Sequence, residues 1–174
     1  MEDNLLLVRK AKKGDVDAFG KLYEYVYHDM YRFALYTLCN EEDAKDVVSE
    51  AVTDAFATIG KLKIDKAFRS WIFRILSNKC NEKIREYTKK TIELDEKVME
   101  NHKKEGLEEE AIVRKAFFEL DNEERIIIGM HLFCGYKSRE IAKILDMNEN
   151  TVRSKESRGL KKLAEKMESE KINR

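Results

Sequence analysis

The sequence contains no proline, although ordinary usage near 5% would place about nine in a chain of 174 residues. Nothing in it can break a helix by removing a donor and clashing with the preceding turn. Glycine is scarce too, at seven residues, while Lys, Glu, Ala and Leu, all good helix formers, are abundant. These absences predict an all-α fold. No apolar run approaches the roughly 20 residues that cross a bilayer, so no membrane insertion is expected. The run Leu5 to Val8 is short and flanked by charge, and Met1 to Lys13 does not read as a signal peptide. The three cysteines, Cys39, Cys80 and Cys134, are far apart and lack ligand spacing. They read as reduced thiols of a cytoplasmic protein, and neither metal nor cofactor is expected. His28, His102 and His131 are isolated, no acid/base pair stands out, and no glycine loop could cradle a phosphate. The chain is not expected to be an enzyme.

There is also no excess charge of either sign: 34 basic residues balance 34 acidic ones. The sum conceals a pattern. Residues 1–90 carry a net +2, residues 91–110 a net −5 and residues 111–174 a net +3. An acidic connector between two mildly basic lobes is the expectation, with domains at 1–90 and 111–174 and a linker at 91–110.

In the first lobe, Ala44, Val47, Val48, Ala51, Val52, Ala55, Phe56 and Ile59 follow the i, i+3, i+4, i+7 rhythm of a core-facing helix. Asn40 is placed to cap its start, and Gly60 fits the left-handed position after its end. A further helix is expected to bury Phe68, Trp71, Ile72, Ile75, Leu76, Cys80, Ile84 and Tyr87. Its other side carries Arg74, Asn78, Asn81, Arg85 and Lys89 at helical spacing, with Arg69, Lys79, Lys83 and Lys90 around them. Such a stripe near Trp71, Phe73 and Tyr87 suits unpaired DNA, whose backbone seeks cations and whose bases seek aromatic faces. It equally suits a solvated helix face, with Trp71 in the core. Upstream, Ala18 to Leu38 form one long helix or two joined ones, so lobe one is a bundle of three or four helices.

In the second lobe, Asp121 with Glu124 resembles a capping box. Ser138 is placed to cap a short helix holding Ile141, Ala142, Ile144 and Leu145. After Asp146-Met147-Asn148 a new helix begins near Glu149. Two short helices about a three-residue turn describe a helix-turn-helix, whose second helix enters the major groove. That helix offers Thr151, Arg153, Ser154, Lys155, Ser157, Arg158, Lys161 and Lys162. Arginine reaches both guanine acceptors, Ser and Thr serve base or phosphate, and lysines hold phosphates.

Taken together, these segments resemble bacterial sigma-70-type sigma factors, specifically the small extracytoplasmic-function group. Lys13-Gly14-Asp15, Ala18-Phe19 and Leu22-Tyr23 look like the opening helix of region 2. Glu42-Asp43-Ala44-Lys45-Asp46-Val47-Val48-Ser49-Glu50-Ala51 is similar to the run that binds the β′ clamp helices of RNA polymerase. Phe68-Arg69-Ser70-Trp71-Ile72-Phe73-Arg74-Ile75, with Asn78 and Arg85, resembles the stretch that melts the promoter −10 element. Gly135 to Ala142 and Asn150 to Leu163 resemble the region 4 helix-turn-helix that reads the −35 element.

The resemblance implies a transcription initiation factor with core polymerase (β′ clamp helices and β flap), promoter DNA and an anti-sigma factor as partners. It implies polymerase contacts at Asp43, Asp46, Val47, Ser49, Glu50 and Asp54. It implies −10 contacts at Arg69, Trp71, Arg74, Asn78, Asn81 and Arg85. The −35 contacts would be Ser138, Thr151, Arg153, Ser154, Lys155, Ser157, Arg158, Lys161 and Lys162. The sequence departs from the family pattern where Ser49 replaces a usual Gln, Asn81 an Asp, and Asp146 a Gly. Asp121-Asn122 stands where a proline is common, and Asn148 and Asn150 replace small residues. A conventional helix-turn-helix regulator that acts without polymerase is the alternative, with lobe one serving dimerisation or sensing. The small net charges of the lobes imply weak DNA binding by the free chain.

Overall fold

The computed structural model describes residues 2–93 and 108–172, with the side chains of residues 4–87 and 112–169. All regular structure among the described residues is helical. Lobe one holds α1 (Glu2–Ala11), α2 (Val16–Leu38), α3 (Glu41–Thr58) and α4 (Phe68–Glu93), with 3₁₀ turns at Ile59–Lys61 and Asp65–Ala67. Lobe two holds α5 (Glu108–Phe118), α6 (Asn122–Leu132), α7 (Ser138–Leu145) and α8 (Glu149–Ile172). The upstream segment is thus one helix, and the stretch expected as connector is partly helical at both ends. The remainder of that connector, 94–107, lies outside the described residues.

Small side chains let lobe one close. Ala44, Ala51 and Ala55 of α3 are fully buried against Met30, Phe33 and Ala34 of α2 and Ile72, Phe73 and Leu76 of α4. The α2–α3 corner turns at Cys39, held left-handed at φ 55°, and Asn40 then caps α3 by accepting the Asp43 N–H at 3.0 Å. The cap is where the sequence places it. Gly60 does not take the left-handed position; α3 runs into a 3₁₀ turn through a right-handed Ile59. The turn continues the same hand of rotation, so no positive φ is needed there.

In lobe two the capping box forms, with Asp121 accepting the Glu124 N–H at 2.8 Å and Glu124 reaching back to the Asp121 N–H. Asp146 is left-handed at φ 56° and closes α7 through its N–H to the Ala142 carbonyl. Asn148 Oδ1 accepts the Asn150 N–H at 2.9 Å and caps α8. Ser138 is not the cap of α7. Lys137 holds that position, and the Glu140 carboxylate accepts its N–H at 2.9 Å. The Ser138 hydroxyl, already inside the helix, turns instead to Glu156.

The two lobes pack against each other. Helix α2 meets α5 and α6, and α4 meets α7. Phe33, Phe73, Ile127, Tyr136 and Ile141 belong to one apolar cluster shared by both lobes. The buried side-chain nitrogen and oxygen atoms without a well-formed hydrogen bond are Thr37 Oγ1, Arg125 Nε and the Tyr136 hydroxyl, among the described residues.

Gly159 sets how closely α8 approaches α6. A Cβ there would stand 2.2 Å from Ile128 Cδ1, inside a fully buried contact. Overpacking costs about 1–3 kcal/mol, against a helix-propensity gain of about 1 kcal/mol for alanine. Gly159→Ala should therefore lower stability in chemical denaturation. Adding Ile128→Val, which removes the offending methyl, should return part of that loss.

Candidate functional site

Three polar surfaces emerge from this packing. The first is the outer side of α3. Asp46, Ser49, Glu50, Thr53 and Asp54 are exposed there, because every third or fourth residue between them is committed to the core. Val47 is not part of this surface. It is 3% exposed and faces inward, since its position falls on the alanine side of the helix. Asp43 is half-buried, and its carboxylate takes Lys83 Nζ at 2.8 Å and the Tyr87 hydroxyl. Burial, with that carboxylate beside it, pushes the Tyr87 hydroxyl strongly upward and keeps it a donor. Lys79 lies 3.0 Å from Asp54 and 3.4 Å from Glu50.

Lys79 and Lys83 therefore moderate the acid of α3 and do not widen the basic stripe of α4. Their register was legible; their reach across to α3 was not. Beside this face, Tyr23, Tyr27 and Tyr31 line a shallow groove with Lys45, Val48, Ser49 and Val52. The rings follow one another at 5.4 and 6.2 Å. The i, i+4, i+8 spacing of these tyrosines signalled the ladder, and sequence reasoning passed over it.

The second surface is the stripe on α4. Arg74, Asn78 and Arg85 are exposed and Asn81 is half-exposed, and none has a side-chain partner among the described residues. Trp71 is half-buried against the core, its ring 6.2 Å from that of Phe68. The side chains of Lys89 and Lys90 lie outside the described residues. Arg69 departs from the stripe. Its guanidinium bonds Asp29 at 2.8 Å and lies over the rings of Phe73 and Tyr136.

The third surface is the outer edge of α8. Thr151, Arg153, Ser154, Ser157, Arg158 and Lys161 are exposed. Arg153 is drawn to Glu149 at 2.6 Å, and the Ser154 hydroxyl donates to the Asn150 carbonyl at 2.9 Å. Lys161 stands 3.8 Å from Glu165. Ser157 and Arg158 have no side-chain partner among the described residues. Two of the expected DNA lysines point elsewhere. Lys155 pairs with Glu123 of α6 at 3.0 Å, and Lys162 with the buried Glu124 at 2.7 Å. Both side chains fall on the flank of α8 that packs on α6. Sequence reasoning also omitted Arg139 and Lys143, which α7 exposes. The habit of the first helix in such motifs to cross the phosphate backbone was the signal for them.

The inner side of α8 is held by a carboxylate. Glu156 takes the Ser138 hydroxyl at 2.6 Å and His131 Nδ1 at 3.0 Å, which ties α6, α7 and α8 at one point. Ser138 thus orients the motif through Glu156.

A sigma-70 region 2 family model matches residues 22–90, and a sigma-70 region 4 model matches residues 111–163. RNA polymerase sigma factor SigV of Bacillus subtilis is 31% identical over 139 residues, covering 76% of this chain and 81% of that protein. The chain belongs to the sigma-70 family of RNA polymerase sigma factors. The extracytoplasmic-function sigma factor SigM of Mycobacterium tuberculosis (strain Erdman) is 28% identical over 162 residues, covering 92% of this chain and 83% of that one. This sigma factor falls in the same group. A solved complex of sigma factor RpoE with the anti-sigma factor NepR from Bartonella quintana shares the fold. It has a TM-score of 0.75 at 21% identity, covering 88% of this chain and 98% of that one. The sigma factor directs transcription initiation.

Because Glu156 joins three helices, its loss should disturb the motif as a whole. Glu156→Ala should cost about 1.5–3 kcal/mol, from the lost hydrogen bond of Ser138 to a charged acceptor. Thermal unfolding followed by circular dichroism would measure it, and the same variant should lose DNA-dependent activity although Glu156 faces away from DNA.

Proposed function

We propose that the three surfaces divide one task. The α3 face, with Asp46, Ser49, Glu50 and Asp54, docks the factor on the β′ clamp helices of core RNA polymerase. The α4 stripe of Arg74, Asn78, Asn81 and Arg85, with Trp71 at its edge, holds the unpaired −10 strand. The α8 edge, led by Arg158 with Thr151, Arg153, Ser154, Ser157 and Lys161, reads the −35 duplex, and lobe two meets the β flap. An acidic docking face suits a basic partner and speeds its approach. Residues 1–90 and 111–174 act as the two DNA-gripping units. The site of action is the cytoplasm, where polymerase and promoter are found. A protein anti-sigma factor, of the kind seated on RpoE in the solved complex, is the regulatory partner.

The observation that supports this reading is that Arg74, Asn78 and Arg85 of the α4 stripe and Arg158 of α8 are exposed, Asn81 is half-exposed, and none has a side-chain partner among the described residues. A solvated face needs no such economy when 34 acidic residues are available to pair with. The conventional-regulator reading has no observation in its favour.

Transcription with purified core polymerase tests the assignment. Asp46→Lys should weaken association with core polymerase while leaving the fold intact by circular dichroism. Arg158→Ala should lower discrimination among −35 sequences by about 5–150-fold, corresponding to about 1–3 kcal/mol for a good arginine–guanine pair. Lys155→Ala should instead leave −35 discrimination unchanged, since its ammonium serves Glu123. Without polymerase, gel shifts on promoter DNA should show only weak, salt-sensitive binding. Tight operator binding by the free protein would refute the sigma assignment of these surfaces.

A further inference from the structure

We propose that Glu149 and Arg153 form one reading unit at the start of α8. Arg153 takes a guanine of the −35 duplex, and Glu149 takes the cytosine paired with it. Glu149 is thereby a specificity-determining residue, although it carries the charge that phosphate repels. This role deepens the −35 assignment of α8 and rests on that reading.

The unit owes its place to the way α8 begins. Asn148 caps the helix by accepting the Asn150 N–H at 2.9 Å, and Glu149 is the first helical residue. Arg153 follows one turn later on the same face. Val152 and Glu156 are buried, which fixes the rotation of α8 and turns Arg153 outward. Arg153 Nη2 meets Glu149 Oε1 at 2.6 Å, with the arginine side chain 65% exposed and the glutamate 36%. Residues at this end of the second helix are the ones that meet base edges in a helix-turn-helix. Other carboxylates beside α8 hold it to its neighbours: Glu156 takes Ser138, Glu123 takes Lys155 and Glu124 takes Lys162. The bond of Glu149 runs instead along the exposed edge, to an arginine that can reach DNA.

The functional groups match a G·C pair one for one. The major-groove edge of that pair presents two guanine acceptors, N7 and O6, and then the cytosine N4 amino donor. A guanidinium carries five N–H donors in a planar fork. Glu149 engages one of its nitrogens, and enough donors remain for both guanine acceptors. The second carboxylate oxygen, Oε2, has no side-chain partner among the described residues. It is the acceptor that the cytosine amino group needs. An A·T pair would set its amino group against the guanidinium and thymine O4 against the carboxylate, and C·G reverses the order of groups. A carboxylate facing a bare acceptor is repelled, so Glu149 selects by rejection as well as by attraction.

The bond to Glu149 also prepares Arg153. A free arginine gives up rotamer freedom when it docks, whereas one already held by a carboxylate has lost part of it before DNA arrives. A first-turn carboxylate suits the positive end of the helix dipole as well. That second role is blind to base sequence, which separates the two by experiment.

The test is initiation by holoenzyme, assembled from the full chain and core polymerase, on templates with each −35 position varied in turn. Wild type should favour G·C at one position over the other three pairs. Glu149→Ala should lower that preference by at least about fivefold, and Arg153→Ala should lower it at the same position. The double variant should be no worse than the poorer single one, because the two residues act as a unit. Preferences at the other −35 positions should hold. Thermal unfolding of Glu149→Ala should stay near that of wild type, since an exposed ion pair adds little to stability. Should the alanine variant unfold early, Glu149→Gln decides, as its amide puts a donor where the second carboxylate oxygen stood. Full G·C preference in that variant overturns the proposal. So does a Glu149→Ala effect that scales every sequence by one factor, or relaxation of different positions by the two single variants. If Arg158→Ala relaxes −35 choice and Glu149→Ala does not, the sigma-factor reading stands and the reading unit falls. If no α8 variant alters −35 choice, the −35 assignment falls and takes the unit with it.

Discussion

Helix α2 has to bury itself twice, and the rest of the molecule depends on that constraint. One side of it, through Met30, Phe33 and Ala34, completes the core of lobe one. Its C-terminal end, through Tyr36, Thr37 and Cys39, is covered by α5 and α6. A 23-residue helix is about 35 Å long, so one element can serve two hydrophobic clusters without a bend. The helix runs without interruption to a left-handed Cys39, where lobe two begins to cover it.

Electrostatics then sorts the remaining charge. The neutral total does not arise from scattered compensation. Lys79 and Lys83 of α4 are spent on α3, and Lys155 and Lys162 of α8 are spent on α6. Among the described residues, Asp46 of α3 and Arg74, Arg85 and Arg158 are exposed and make no ion pair. Pairs to exposed carboxylates, such as Lys79 with Asp54 and Lys155 with Glu123, add little to stability. Their effect is to decide which cations face outward.

Most of the secondary structure was legible because its signals are local. The rhythm of α3, the Asn40 cap and the Asp121–Glu124 box each depend on residues within a few positions of one another. Two local readings failed, one for a local reason and one for a tertiary reason. Gly60 had no need of positive φ once α3 tightened into a 3₁₀ turn, and the Ser138 hydroxyl donates to Glu156 instead of accepting a backbone N–H as a cap would. Val47 stood both in the core-facing rhythm and in the polymerase contacts implied by the resemblance, and its helical phase sends it to the core.

By itself the sequence determined an all-helical chain, the two lobes, the helix-turn-helix and the stripe on α4. These follow from periodicity, capping and composition, which are properties of neighbours along the chain. Only the tertiary structure decided which cations remain free, that Arg69 is held between Phe73 and Tyr136, and that a seam with three ill-satisfied polar atoms joins the lobes. A lysine four bonds long can turn toward DNA or toward the next helix with the same local sequence. Its choice depends on where a carboxylate dozens of residues away has been folded, and no window along the chain contains that distance.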